Sequence, residues 1–252
     1  DFNMSKFDYV IVGAGSSGSA LAGRLATNDH TKILLLEAGP EDLNPYIKMP
    51  IGYGKLFYDQ SVNWKFYTEP EENLHGKKMY WPRGKVLGGS SSINAMVFAR
   101  GSRNDFDEWG AHASGWSWQD IEPFFRKMET WKGKSDQSRG QSGPVKVTDV
   151  STQAHPLTDC FLEATEQIGI SKNPDYNTGN IEGSFVYQTN THKGLRSSAS
   201  NAYLSPIKKQ KNIVVITRAL VKKILFEGAR AVGVEYSHKG SPKVVNATKE
   251  II

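Results

Sequence analysis

The chain has a single cysteine, Cys160, so no internal disulfide can form and the fold must rest on packing. Cys160 falls in an amphipathic pattern and is expected as a small core residue. One cysteine fits a reducing compartment, and a cytoplasmic location is expected. No apolar run approaches the ~18 residues of a spanning helix, so no membrane span is expected. There is no block of five or more basic residues. A net charge of +5 is mild, and nucleic-acid binding has no electrostatic footprint. Lys208-Lys209 and Lys222-Lys223 read as solvated loop and strand-end charges. No signal-like leader opens the chain; Asp1-Phe2-Asn3 precede Met4, which reads as the natural start. Asn3-Met4-Ser5 and Asn246-Ala247-Thr248 match glycosylation sequons, a number that chance supplies, and are discounted. What remains is an ordinary globular composition, 38% hydrophobic and 23% charged, over 252 residues, enough for one or two domains.

Residues 9–18 are the best-patterned stretch. Tyr-Val-Ile-Val predicts a short buried strand, and Gly13, Gly15 and Gly18 form a Gly-x-Gly-x-x-Gly turn. A helix is expected over 19–26 and a second strand over 32–36, ending in Glu37. Strand, glycine turn, helix, strand and acid is the order that a dinucleotide fold requires. Gly13 permits the tight turn, and Gly15 lets the backbone approach a pyrophosphate at the helix N-terminus. Gly18 lets helix and strand pack closely. Glu37 stands 19 residues past Gly18, about right for a carboxylate on the adenosine ribose. The stretch does not choose between NAD and FAD.

From 38 to 80 periodicity fades, with four prolines and many aromatics, and residues 62–68 alternate weakly as a short strand. Long irregular segments in compact domains are usually functional, and this one is expected to cover the nucleotide. Residues 84–97 follow. Gly88-Gly89 and three serines supply backbone N–H groups, and 93–98 is expected to be helical. Such a loop holds a second polar part of a ligand or is a Gly/Ser-rich connector. A helix is expected over 115–128, capped by Ser117 with Asp120 three residues on, and Pro123 as a potential kink. Residues 132–144 read as an exposed loop. A further helix is expected over 156–168, with Leu157, Phe161, Ala164 and Ile168 on one face. Residues 212–217, 221–226, 231–236 and 243–247 read as four strands of an antiparallel meander. Residues 249–252 begin another strand, and the polypeptide is expected to continue beyond them.

Gly84-Lys85-x-Leu87-Gly88-Gly89-Ser90-Ser91-x-Ile93-Asn94, with Phe98, Gly101 and Asp107, resembles the first signature of the glucose–methanol–choline (GMC) oxidoreductases at every restricted position. Residues 105–109, 115–118 and Arg196-x-x-Ala199-x-x-Ala202-Tyr203-Leu204 also look like that family. The resemblance covers essentially the whole chain, is greatest to the choline dehydrogenase-like branch, and concerns its N-terminal half. It implies an α/β fold: a Rossmann-like FAD-binding domain with added antiparallel strands, plus the start of a substrate-binding domain. The implied domains are 1–153 and 195–252 for FAD and 154–194 for substrate.

The resemblance implies FAD rather than NAD. By motif position, Gly13, Gly15, Ser16, Ser17 and Gly18 would surround the pyrophosphate. Glu37 would bind the adenosine ribose, with Ala38 beside it. Val86, Gly89 and Ser90 would line the loop near flavin and pyrophosphate, and Asn94, Ala95, Met96 and Val97 would reach the isoalloxazine ring. Val221 would meet the adenine. Some members attach FAD through a histidine just before the asparagine; Ile93 stands there, which implies noncovalent FAD. The implied reaction oxidises a primary alcohol, choline-like or another small or medium one, by hydride transfer to flavin N5, with the electron acceptor open. The family's catalytic histidine lies far downstream, in the C-terminal half expected as partner. His30, His75, His112, His155, His192 and His238 read as surface or loop residues, so no catalytic residue and no metal site is expected. Three alternatives stand beside this reading. One is a nicotinamide dehydrogenase, which the 84–97 signature opposes. Another is a non-catalytic FAD-binding fragment needing a second polypeptide. The third is an oxidase, lyase or photodecarboxylase of the same family.

Overall fold

The computed structural model describes residues 7–134 and 136–252. Met4 and the Asn3 sequon lie outside them. The chain forms two compact units, one running up to Ala95 and resuming over Ser198–Ile252, the other Met96–Ser197. The segment 154–194 falls within the second unit, together with residues 96–153.

The first unit is built on a six-stranded sheet. Its strands are β1 (Phe7–Val12), β2 (Ile33–Leu36), β3 (Ile213–Ile216), β4 (Ala219–Glu227), β5 (Arg230–His238) and β6 (Ser241–Ile251). Their spatial order is β4-β5-β6-β1-β2-β3. Helix α1 (Ser16–Leu25) connects β1 to β2, which pair in parallel, Tyr9 opposite Ile33 and Val12 opposite Leu36. Parallel strands are covered on both faces, so their residues alternate between two cores. Ile11, Ile33 and Leu35 pack with Ala22 of α1, with Ala26 at its C-cap, and with Leu204, Ile207 and Ile213. Val10, Leu34 and Leu36 pack with Ala219, Val234, Tyr236 and Val245. Each such Val, Leu or Ile, fully buried, contributes about 1.5–3 kcal/mol.

Two expectations for the C-terminal strands are corrected. The strand expected over 212–217 does not join the antiparallel meander; it is β3, parallel to β2. Only β4, β5 and β6 form the meander. Residues 249–252 do not start a new strand. Residues 249–251 complete β6, whose first half pairs antiparallel with β5 while its second half pairs parallel with β1, Phe7 opposite Ala247 and Val10 opposite Ile251. One long strand thereby welds the meander to the nucleotide-type sheet.

Among its described residues the second unit has three α-helices, α2 (Arg103–His112), α3 (Trp118–Met128) and α4 (Pro156–Gln167). Short parallel strands at Glu129–Trp131 and Val145–Val147 accompany them. Ser117 stands at the N-cap of α3 as expected, but it is Asp120 that accepts, from the Ser117 Oγ at 2.6 Å and the Ser117 N–H at 3.2 Å; the helix continues through Pro123. Three expectations fail here. The face of Leu157, Phe161, Ala164 and Ile168 on α4 is exposed, with Thr165 the buried residue of the helix. Cys160 is exposed with it. The periodicity was real, but no element among the described residues covers the face. Residues 132–144 are not simply an exposed loop, because Arg139 is buried in an ion cluster with Glu129 and Asp175.

Candidate cofactor site

The glycines of the first unit fall into two kinds. Gly18, Gly39, Gly84 and Gly89 have no room for a side chain. A Cβ on Gly18 would strike the Gly13 carbonyl, and one on Gly39 would strike the Lys85 carbonyl. A Cβ on Gly84 would strike the Gly89 carbonyl group, and one on Gly89 would lie 2.7 Å from Gly15 Cα. Gly13 and Gly15 instead face open space. A Cβ at Gly13 meets nothing within 4 Å, and one at Gly15 meets only Gly89 Cα, at 4.0 Å. Gly13 is glycine for its conformation, φ +96°. Gly15 leaves the approach to α1 clear.

That approach ends on unsatisfied donors. Gly15 is the N-cap of α1, and no side chain caps the helix. The first intrahelical bond among its leading amides is Ser19 N to Gly15 O, 2.9 Å. The N–H groups of Ser16, Ser17 and Gly18 therefore form the positive end of the helix, with Ser16 and Ser17 exposed. An anion fits here because the donors are fixed and no side chain among the described residues caps them.

Glu37 is buried at the end of β2. Its carboxylate accepts from Ala14 N and Gly39 N, both at 2.8 Å. Burial pushes this carboxyl up from its ordinary range; the N–H groups of Gly39, Ala14 and Ala38 and the Lys85 charge oppose that. Glu37 thus ties the glycine turn to the end of β2 and retains lone pairs for a hydroxyl donor. Ala38, partly buried, follows it. The same corner holds β4: Ala219 N donates to Glu37 O and Arg218 N to Gly39 O, each at 2.8 Å. Val221, two residues along β4, is partly buried against the core of Val10 and Leu34.

The second motif is docked on the first. Gly88 N donates to Ala14 O at 2.7 Å, and Leu87 N to Pro40 O at 3.1 Å. Gly89 opens a 3-10 turn over Gly89–Ser92 and abuts Gly15. Ser90 is exposed, its Oγ accepting from Gly84 N. Two expectations change in character. The Val86 side chain is fully buried with Ile47, Leu56, Val62 and Ile93, so only its backbone can face a ligand. Residues 93–98 are not helical; after the 3-10 turn the backbone is irregular, and Met96 takes φ 63°. A long side chain in the left-handed region costs on the order of 1–3 kcal/mol. Asn94, Ala95 and Val97 are exposed, and Met96 is buried.

Ala14 and Gly39 were not singled out from sequence, yet they join the pieces. The signal available was the Glu37-Ala38-Gly39 run at the strand end and the small residue between Gly13 and Gly15. Among the described residues no group of three or more His, Cys, Asp or Glu is placed to hold a metal ion. The histidines do not gather: His155 caps α4 through Nδ1, His112 ends α2, and His238 ends β5. No helix among the described residues is long and apolar enough to cross a membrane.

A family model described as GMC oxidoreductase matches residues 7–252. The chain belongs to the GMC oxidoreductases. These are flavoproteins, and the parallel sheet matches their FAD-binding, Rossmann-like N-terminal domain. The GMC chain is 42% identical to the oxygen-dependent choline dehydrogenase of Rhizobium etli, over 97% of its own length and 44% of that protein's. It is also 42% identical to the mitochondrial choline dehydrogenase of Homo sapiens, over 98% of its length and 43% of the relative's. Its fold superposes on pyridoxine 4-oxidase from Mesorbium loti with a TM-score of 0.93 and 30% identity, covering 98% of this chain and 48% of that one. The GMC chain therefore spans less than half the length of the relatives it matches.

Proposed function

We propose that this chain is the cofactor-binding part of an FAD-dependent enzyme that oxidises a primary alcohol, choline-like or another small or medium one. The observation that carries the proposal is the abutment of Gly89 on Gly15. It brings a second donor-bearing loop against the glycine turn, which a dinucleotide with a large terminal ring requires and a simple phosphate does not. FAD, when bound, supplies the acceptor for a hydride. The N–H groups of Ser16, Ser17 and Gly18 hold the pyrophosphate, and the Glu37 carboxylate, beside Ala38, takes the ribose hydroxyls. Val221 borders the adenine. Gly89, Ser90 and the Val86 backbone line the pyrophosphate side, and Asn94, Ala95, Met96 and Val97 carry polar groups toward the ring. Donors there would stabilise the charge that reduction places on it.

FAD is held noncovalently in this reading. Ile93, at the position where some relatives carry an attaching histidine, has no nucleophilic atom and is buried in an apolar cluster. The aromatics of 64–81 pack over the cofactor. An ammonium cage is less well supported, since Lys85 Nζ lies 4.6 Å from the Trp64 ring centre and the Arg83 guanidinium 4.9 Å from that of Trp81. The base that takes the hydroxyl proton is supplied by the remaining half of the protein, which is the expected partner.

The test uses the full-length protein. An alcohol panel is run with O2 and, separately, with an artificial electron acceptor, which reports substrate and acceptor together. Acid precipitation should release all the yellow flavin into the supernatant. Flavin retained in the pellet would overturn noncovalent binding, and a colourless protein after FAD reconstitution would overturn the cofactor reading. FAD affinity should weaken as pH falls through the titration of Glu37, which burial places above the ordinary carboxylate range, because the neutral carboxyl is a poorer acceptor.

A further inference from the structure

The stretch from Met96 to Arg100 in the second unit is irregular. It belongs to no strand, and among the described residues its one bridge is at Val97, opposite Thr189. It also contains the left-handed Met96. Such a backbone keeps one conformation only if its surroundings over-determine it. Here they do. Asn190 N donates to Met96 O at 2.7 Å, and Phe98 N to Gln188 O at 2.9 Å. Phe98 O accepts from the Tyr176 hydroxyl at 2.6 Å and from Asn177 Nδ2 at 3.1 Å. Arg100 N donates to Asn177 Oδ1 at 2.8 Å. The Asn177 amide thus grips two backbone groups of the stretch, as a neighbouring strand would.

The direction of that amide is set by charges farther back. Arg139 Nη1 donates to both Asp175 oxygens, 2.8 and 2.7 Å, and to Gln188 Oε1, 2.9 Å. Gln188 Nε2 donates to Asp175 Oδ1 at 2.8 Å. Gln188 must therefore present its oxygen to Asn177, whose Nδ2 donates to it at 2.8 Å. Asn177 Oδ1 is left for Arg100 N. No member of this chain can flip its amide without setting donor against donor. Asn177 is wholly buried and Gln188 nearly so, so water cannot substitute for a lost partner.

We infer that Asn177, oriented by Gln188, Asp175 and Arg139, is a positioning residue that fixes the Met96–Val97 backbone in the geometry that tunes the bound flavin. This rests on the proposed FAD reading, in which Met96 and Val97 face the ring. Asn177 does not touch the cofactor in this account. It acts through the backbone it holds. The pyrophosphate and ribose contacts belong to other residues, so disturbing Asn177 alters the flavin's electronic environment and leaves its retention intact.

The experiment uses full-length holoprotein and the variant Asn177→Asp, which keeps the side-chain shape. Ionised, the new carboxylate opposes Phe98 O and Gln188 Oε1 with an acceptor. Protonated, it can donate again. The variant should bind FAD stoichiometrically. At about pH 9 its visible circular dichroism should differ from wild type, and its affinity for reduced over oxidised FAD should fall roughly tenfold, a drop of about 30 mV in midpoint potential. At about pH 6 both differences should shrink, since burial, Phe98 O, Gln188 Oε1 and the Asp175 carboxylate raise the new carboxyl, against the Arg100 N–H and the Arg139 charge. Tyr176→Phe, which removes one hydroxyl donor from Phe98 O and retains the ring, should shift both readouts in the same direction by a smaller amount. It decides the matter if Asn177→Asp does not fold. Unchanged dichroism and potential at both pH values overturn the inference. A wild-type protein without flavin overturns the cofactor reading instead, so the two failures are distinct.

Discussion

In the first unit the sheet is sealed on both faces by Val, Ile and Leu, and its buried carboxylate, Glu37, is held by backbone N–H groups. In the second unit three charged side chains are buried together. Glu129 accepts from Arg139 Nε at 2.8 Å and pairs with Arg100, and Arg139 continues to Asp175. Arg139 also lies over the Trp131 ring, 3.9 Å from its centre. Burying such ions costs about as much as their attraction returns, so they are poor sources of net stability. They are, however, unforgiving about geometry. The difference teaches that the two units are specified in different ways. The sheet tolerates any apolar side chain of the right volume, while the second unit demands particular partners at particular positions.

The sharpest way to break that comparison is Glu129→Gln. The volume is kept and the countercharge is removed, leaving Arg100 and Arg139 facing each other in a dry site. Burial already pulls the Arg100 guanidinium below its ordinary range, with Glu129 opposing that shift. Removing one partner of a buried pair costs roughly 3–5 kcal/mol. Hydrogen exchange should show lost protection over 96–197 with protection retained over 7–95. Uniform loss in both units would mean that they are not separately stabilised, and the contrast would fall.

These two modes of specification also explain what could be read from the chain. β1, α1 and β2 were legible because strand, glycine turn and helix are consecutive, and because residues 9–12 and 33–36 are short apolar runs without a polar break. Within the candidate site, the tight turn at Gly13 and the close packing at Gly18 were legible, since both follow from local backbone geometry. It was partly illegible at Val86 and at residues 93–98. Val86 turns inward because Ile47, Leu56 and Val62, far from it in the chain, form a core there. Residues 93–98 have helical composition, but the contacts of Met96 and Phe98 with Gln188 and Asn190 pull the backbone away from a helix. The ion cluster had no signal at all: residues 100, 129, 139 and 175 share no period, and Arg139 looked like one more loop charge. The strand over 249–252 was misassigned because one strand changes partners midway, which hydrophobic pattern does not record.

Gly89→Ala probes the join between the two glycine motifs of the first unit. Its backbone has φ 55°, and a new methyl would lie 2.7 Å from Gly15 Cα. Neither atom is at the end of a flexible side chain, so the turns must separate. Overpacking with backbone displacement costs about 1–3 kcal/mol. Thermal unfolding should fall accordingly, and FAD affinity should fall further than stability alone explains, because Ser90 and the α1 N-terminus move apart. A variant with wild-type stability and affinity would show that the abutment is incidental.

The smallest effect is expected where periodicity misled. Phe161 looked like a core residue and is 65% exposed on α4, beside exposed Leu157 and Cys160. In the apolar sheet a large-to-small change costs several kcal/mol, since the cavity closes only partly. At Phe161 there is no cavity to make, because the ring already faces solvent. Phe161→Ser in this chain should therefore change unfolding free energy by no more than about 0.5 kcal/mol, the range of surface substitutions. Cys160 should react with a maleimide at the rate of an accessible thiol, since burial does not shield it. A loss of 2 kcal/mol or more, on the order of a core deletion, together with a protected thiol, would show that something covers this face in solution. The second unit would then have an apolar core after all, and the distinction drawn between the two units would narrow to the ion cluster alone.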